Sequence, residues 1–134
     1  MLSKQISIEV RNLYRALGEL AYAFAMADKK LSNIERIVFQ EAVKEELVKD
    51  SWLAKDRFDM IEQEGGRQTY DEIYHRVLYQ IKQNHRALSD GLIERFILVL
   101  EKVAGVSGIT DEEITRIENF KEDIYRIYSQ NLVY

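Results

Sequence analysis

The chain contains no cysteine. That excludes a disulfide framework, a thiolate zinc site and a cysteine nucleophile. It contains no proline and only 6 glycines in 134 residues, so little in it would break a helix. No run of Lys or Arg exceeds two residues and the net charge is −4, which does not suit a phosphate-backbone binder. The longest apolar run, Leu20 to Ala27, falls far short of the ~20 residues needed to span a bilayer. The N-terminal segment carries no apolar signal core, so a cytoplasmic protein with no membrane span is expected.

The residues that are present favour helices. Hydrophobic residues make up 46%, enough for one domain over residues 1–134 to bury a core without staples. Ile6, Val10, Leu13, Leu17, Leu20 and Phe24 recur at helical steps, predicting a first helix from about Ile6 to Ala27. Ala16, Ala21, Ala23, Ala25 and Ala27 lie along it, and such small side chains let a second helix approach closely. Ser32 and Glu35 form a capping box for a helix carrying Ile34, Ile37, Val38, Ala42 and Leu47. A shorter helix over Ser51 to Glu64 has Trp52, Leu53, Phe58 and Ile61 as its apolar members, and Gly65-Gly66 stops it. Thr69 and Glu72 box the start of a helix with Tyr70, Ile73, Tyr74, Val77, Leu78 and Ile81 on one face, ending over Asn84 to Leu88. Ser89 or Asp90 caps a helix with Leu92, Ile93, Phe96, Ile97, Leu100, Val103 and Ala104. Thr110 and Glu113 box the last helix, which carries Ile114, Ile117, Phe120, Ile124 and Ile127 and is expected to fray from about Ser129. No segment alternates with period two. The expected fold is therefore all-α, a compact bundle of about six helices.

The two ends of the chain resemble one another. Leu20 aligns with Leu98, Ala25 with Val103, Leu31 with Ile109, Ser32 with Thr110 and Glu35 with Glu113. Each copy reads as helix, short loop with an apolar residue, capping box, helix. This suggests a pseudo-duplicated pair of helical hairpins, with the first repeat at about 6–48 and the second at about 89–128.

The loop between the paired helices carries a family resemblance. The first copy reads Ala25-Met26-Ala27-Asp28-Lys29-Lys30-Leu31-Ser32-Asn33-Ile34-Glu35 and the second Val103-Ala104-Gly105-Val106-Ser107-Gly108-Ile109-Thr110-Asp111-Glu112-Glu113. Both are similar to the Ala-x-Ala-Asp-Gly-x-Ile-Ser-x-x-Glu signature of TerB-like (tellurite-resistance-associated) domains. Lys29 stands where that family has Gly, and Val106 where the second Asp would be. The resemblance implies an α-helical, non-enzymatic module of cytoplasmic stress-response systems, with an acidic surface suspected of binding a metal ion.

The corresponding metal candidates are Asp28, Glu35, Glu112 and Glu113. A hard divalent cation wants several carboxylate oxygens, and Asp28 and Glu35 flank one turn. Against this, Glu35 and Glu113 already serve capping boxes. Glu72-x-x-His75 presents a carboxylate and an imidazole on one helix face, but di-metal bundles need two such motifs and this chain has one. His75 reads as solvated beside Asp71 or Glu72, and His85 as a packed or edge histidine. The chain has 2 histidines and no nucleophile or phosphate-loop signature, so no enzyme is expected. The remaining candidates are surfaces: Tyr125, Tyr128 and Tyr134 near the end, and the acids Asp111, Glu112, Glu113, Glu118, Glu122 and Asp123 of the last helix, where Glu122 and Arg126 are spaced for an ion pair. The alternative function is accordingly a structural adapter with no ligand. It would bind a protein through its acidic or tyrosine-rich faces.

Overall fold

The computed structural model describes residues 7–25, 33–47, 49–64, 68–105 and 110–132, with side chains described as far as residue 130. These residues form six α-helices and no strand: α1 (Ile8–Ala25), α2 (Asn33–Leu47), α3 (Trp52–Gln63), α4 (Tyr70–Gln83), α5 (Asp90–Ala104) and α6 (Asp111–Leu132). A 3-10 turn, His85–Ala87, separates α4 from α5. The all-α bundle expected from the apolar spacing is what the chain forms.

The caps set the helix starts. Ser7 Oγ accepts from the Val10 N–H at 3.1 Å and opens α1. The Thr69 N–H donates to Glu72 Oε1 at 2.8 Å while the Glu72 N–H donates to Thr69 Oγ1 at 3.1 Å, completing the capping box of α4. The Thr110–Glu113 box of α6 closes in the same way, at 2.9 and 3.1 Å. For α5 the cap is Ser89 rather than Asp90, since Ser89 Oγ accepts from the Leu92 N–H. The chain turns from α2 into α3 through Asp50, whose φ of 63° lies in the left-handed region that Asp tolerates better than most residues. Ser32, Gly65, Gly66 and residues 106–109 lie outside the described residues.

α1 is the axis of the bundle. Every residue from Leu13 to Ala25 except Arg15 is buried, so this helix is covered on all sides. It packs against α3, α4 and α5, while α2 packs on α5 and α6 on α5 and α4. Its closest neighbour is α3. A Cβ built on Gly18 would lie 2.2 Å from the Ala54 carbonyl oxygen, so the two backbones meet where α1 has no side chain. Around this crossing Tyr22 packs edge-on to Phe58, and Phe58 stacks on Phe39 with ring centres 4.4 Å apart.

Some expected core residues face outward. Ile34 and Ile37 are 63% and 53% exposed and Trp52 is 60% exposed. α2 buries Glu35, Phe39, Ala42, Val43 and Leu47 against its neighbours, and on a 3.6-residue period that row leaves Ile34 and Ile37 on the other side. Trp52 sits at the first position of α3, before Leu53 and Ala54 turn inward. Ile114 is also partly exposed, one residue beyond the cap carboxylate Glu113. α6 does not fray at Ser129. It runs to Leu132, and Ser129 Oγ donates to the Arg126 carbonyl at 2.9 Å.

Candidate functional site

The four predicted carboxylates have different surroundings. Asp28 lies outside the described residues. Glu35 occupies the first turn of α2 and is buried. Glu113 is buried at the matching position of α6, with Oε1 taken by the Thr110 N–H and hydroxyl. Glu112 points to solvent and pairs with Arg116 at 3.6 Å, one turn along. Among the described residues, no three His, Asp or Glu side chains come together as a metal-holding group. In the Glu-x-x-His motif, Glu72 is committed to its capping box. His75 is exposed and stands edge-on to Tyr74. His85 is half-buried in the 3-10 turn. Arg126 pairs with Asp123 at 3.1 Å rather than with Glu122, because the three-residue step brings Asp123 under its guanidinium.

A cluster absent from the sequence reading ties the interior together. Glu19, wholly buried on α1, accepts from Arg57 Nε of α3 at 2.8 Å and from Arg76 Nε of α4 at 2.7 Å. Gln80 Nε2 lies 3.4 Å away on the same carboxylate, and Arg76 Nη2 donates to Gln68 Oε1. One carboxylate thus joins three helices. Its signal in the sequence is an acid inside a largely apolar helix; its partners carry none.

A second cluster joins α4 to α6. The Tyr74 hydroxyl donates to Asp123, Tyr74 stacks on Tyr70, and the Arg116 guanidinium lies 3.9 Å above the Tyr70 ring. Among the described residues, Arg116 Nη1 is the buried side-chain nitrogen that finds no hydrogen-bond partner, and it belongs to the guanidinium held over this ring. Burial pushes both phenols well above their ordinary value, and the bond to Asp123 adds to the effect at Tyr74. These tyrosines are packing residues of the interior rather than an exposed patch.

Among the described residues, two grooves run along α5. One, of about 450 Å³, lies against α2 and is bridged by Lys102, which reaches Glu45 at 3.0 Å and Glu46 at 3.2 Å. The other, of about 480 Å³, lies between α5 and α6 and is lined by Glu94, Ile97, Leu98, Glu101, Lys121 and Tyr125. Leu98 and Tyr125 remain 42% and 37% exposed at its opening. The α5 stripe expected to be apolar omits Leu98, which places it off the core face. Nothing local indicates that Tyr125 of α6 stands opposite it. Burial raises the Tyr125 hydroxyl above its ordinary value, and the charges of Glu94 and Asp90 push the same way.

Comparison with protein-family models, with curated proteins and with solved structures returns no match. Among the described residues, no helix is long and apolar enough to cross a membrane.

Proposed function

We propose that this chain is a non-enzymatic helical interaction module of the TerB-like type, acting in the cytoplasm, and that it docks a protein partner on its α5/α6 face. The observation that carries this reading is the pair Leu98 and Tyr125, left exposed over an apolar floor in an open groove. Large apolar and aromatic side chains held at the surface of a groove are what protein interfaces use as anchors. The acidic balance of the chain supports a protein rather than a nucleic-acid partner.

The test is a photo-reactive residue placed at Leu98, with exposed Lys82 of α4 as control. A discrete adduct in cells at position 98, none at 82, and loss of the adduct on adding Tyr125→Ser is the expected outcome. Equal labelling at both positions, or an adduct indifferent to Tyr125→Ser, refutes the assignment of this face.

The cation part of the TerB-like reading rests on Asp28, Glu35, Glu112 and Glu113 and has its own test. A ligand that binds only the folded state must stabilise it. After chelation, millimolar Ca²⁺, Mg²⁺, Mn²⁺ or Zn²⁺ is expected to raise the Tm of the parent chain and not that of Asp28→Ala. An unmoved melting curve with all four ions retires the cation and leaves the adapter.

A further inference from the structure

The α5/α6 groove also indicates the chemistry of its occupant, on the footing that this face is the docking surface. Its two walls are outward stripes of adjacent helices. On α5 the stripe is Asp90, Glu94, Leu98 and Glu101, stepping by three or four residues along one side. On α6 it is Glu118, Lys121 and Tyr125. The stripes run in opposite directions: Lys121 meets Glu101 at 3.8 Å, while Tyr125, further along α6, lines the same groove as Glu94 and Leu98, nearer the start of α5. An apolar centre is therefore flanked by acids at both ends.

The acids outnumber the base that could answer them. Lys121 is shared between Glu101 at 3.8 Å and Glu118 at 3.6 Å. Among the described residues, neither Asp90 nor Glu94 takes part in a salt bridge. The groove on the other side of α5 differs in its apolar lining, since none of its lining residues is an exposed large apolar side chain.

We infer that the α5/α6 groove binds a basic amphipathic helix of a partner protein. Apolar side chains one turn apart would seat between Leu98 and Tyr125, and flanking Lys or Arg would face Glu94 and Asp90 at one end and Glu101 and Glu118 at the other. A helix laid between two neighbouring helices presents anchors at i, i+3, i+4 and i+7, the spacing an open inter-helix trough accepts. An acidic rim around an apolar centre selects for basic partners through encounter rate and through repulsion of acidic ones.

The probe is a pair of designed helical peptides of about four turns, ~14 residues, with the same leucine stripe and either Lys or Glu at the flanking positions. Each is titrated into the isotope-labelled chain and followed by amide chemical shifts. The Lys peptide is expected to move the amides of Leu98 and Tyr125, to bind more weakly as salt rises, and to lose roughly tenfold in affinity with Glu94→Lys. Leu98→Ser should also weaken it, while the Tm of both variants stays near that of the parent because both sites are exposed. The Glu peptide is expected not to bind.

Shifts centred on Glu41 and Glu45 of α2, equal binding of the two peptides, or indifference to both substitutions would overturn the inference. So would movement of Leu98 and Tyr125 with protein concentration alone, which would make the occupant a second copy of this chain. A specific photo-adduct at position 98 with no response to the Lys peptide would keep the docking face and reject the basic helix. Absence of both would reject the face as well.

Discussion

Replacing Gly18 with alanine is expected to destabilise the fold by about 3 kcal/mol, the upper range for forcing a methyl group into a packed interior. On helix propensity alone the sign would be opposite. Ala exceeds Gly in a helix interior by about 1 kcal/mol, and Gly18 lies in the middle of α1. The added Cβ, however, would come to 2.2 Å from the Ala54 carbonyl oxygen and 3.0 Å from its carbon. Both are backbone atoms, so no rotamer change relieves the clash and α3 must move off α1. The movement would also disturb the Tyr22–Phe58 and Phe39–Phe58 contacts. Chemical denaturation measures the change. A variant as stable as the parent would mean that α1 and α3 do not cross at this point.

The second large effect concerns the buried acid. Removing both Arg57 and Arg76 by alanine substitution is expected to cost about 3–5 kcal/mol, because it strands a carboxylate without its counter-charges. Glu19 is wholly buried, and Gln80 at 3.4 Å would be its remaining neighbour in the cluster. Adding Glu19→Met to the double variant should recover most of the loss, since an apolar side chain of similar length needs no counter-charge. The converse single change is milder. Arg57 and Arg76 are 27% and 33% exposed, so after Glu19→Met alone both guanidiniums turn to water. The decisive comparison is triple against double variant in the same denaturation series. A triple variant no more stable than the double would show that the arginines contribute by packing their stems rather than by neutralising Glu19.

These two sites show why some of the molecule was readable along the chain and some was not. The helices were legible because their causes are local. A capping box spans three residues, and the Thr69–Glu72 and Thr110–Glu113 boxes are formed as the residue types dictate. The apolar face of α4 likewise follows from its own spacing, with Ile73, Val77 and Ile81 buried. The small residues of α1 pointed correctly to a close helix approach, yet the point of contact proved to be Gly18, chosen by the position of Ala54 on another helix. The apolar spacing misled at Ile34, Ile37 and Trp52. Periodicity says that a residue is apolar, and only the neighbouring helices decide which apolar row is covered.

The candidate surfaces divide in the same way. Tyr125 stood out by its residue type, but its partner Leu98 and the facing acids belong to a helix that precedes it in the chain and packs beside it. Glu19 could be marked as an acid in an apolar segment, while Arg57 and Arg76 look like ordinary surface cations of amphipathic helices.

By itself, then, the sequence determined the all-α class, the positions of the helix starts and the bulk of the apolar core, because helix propensity, capping and 3.6-residue periodicity act over one or two turns. The tertiary structure decided where α1 and α3 touch, which charges neutralise Glu19 and which apolar side chains stay outside. Those outcomes depend on side chains 38 and 57 positions from Glu19 being carried to it by packed helices, and no local pattern in the chain encodes that meeting.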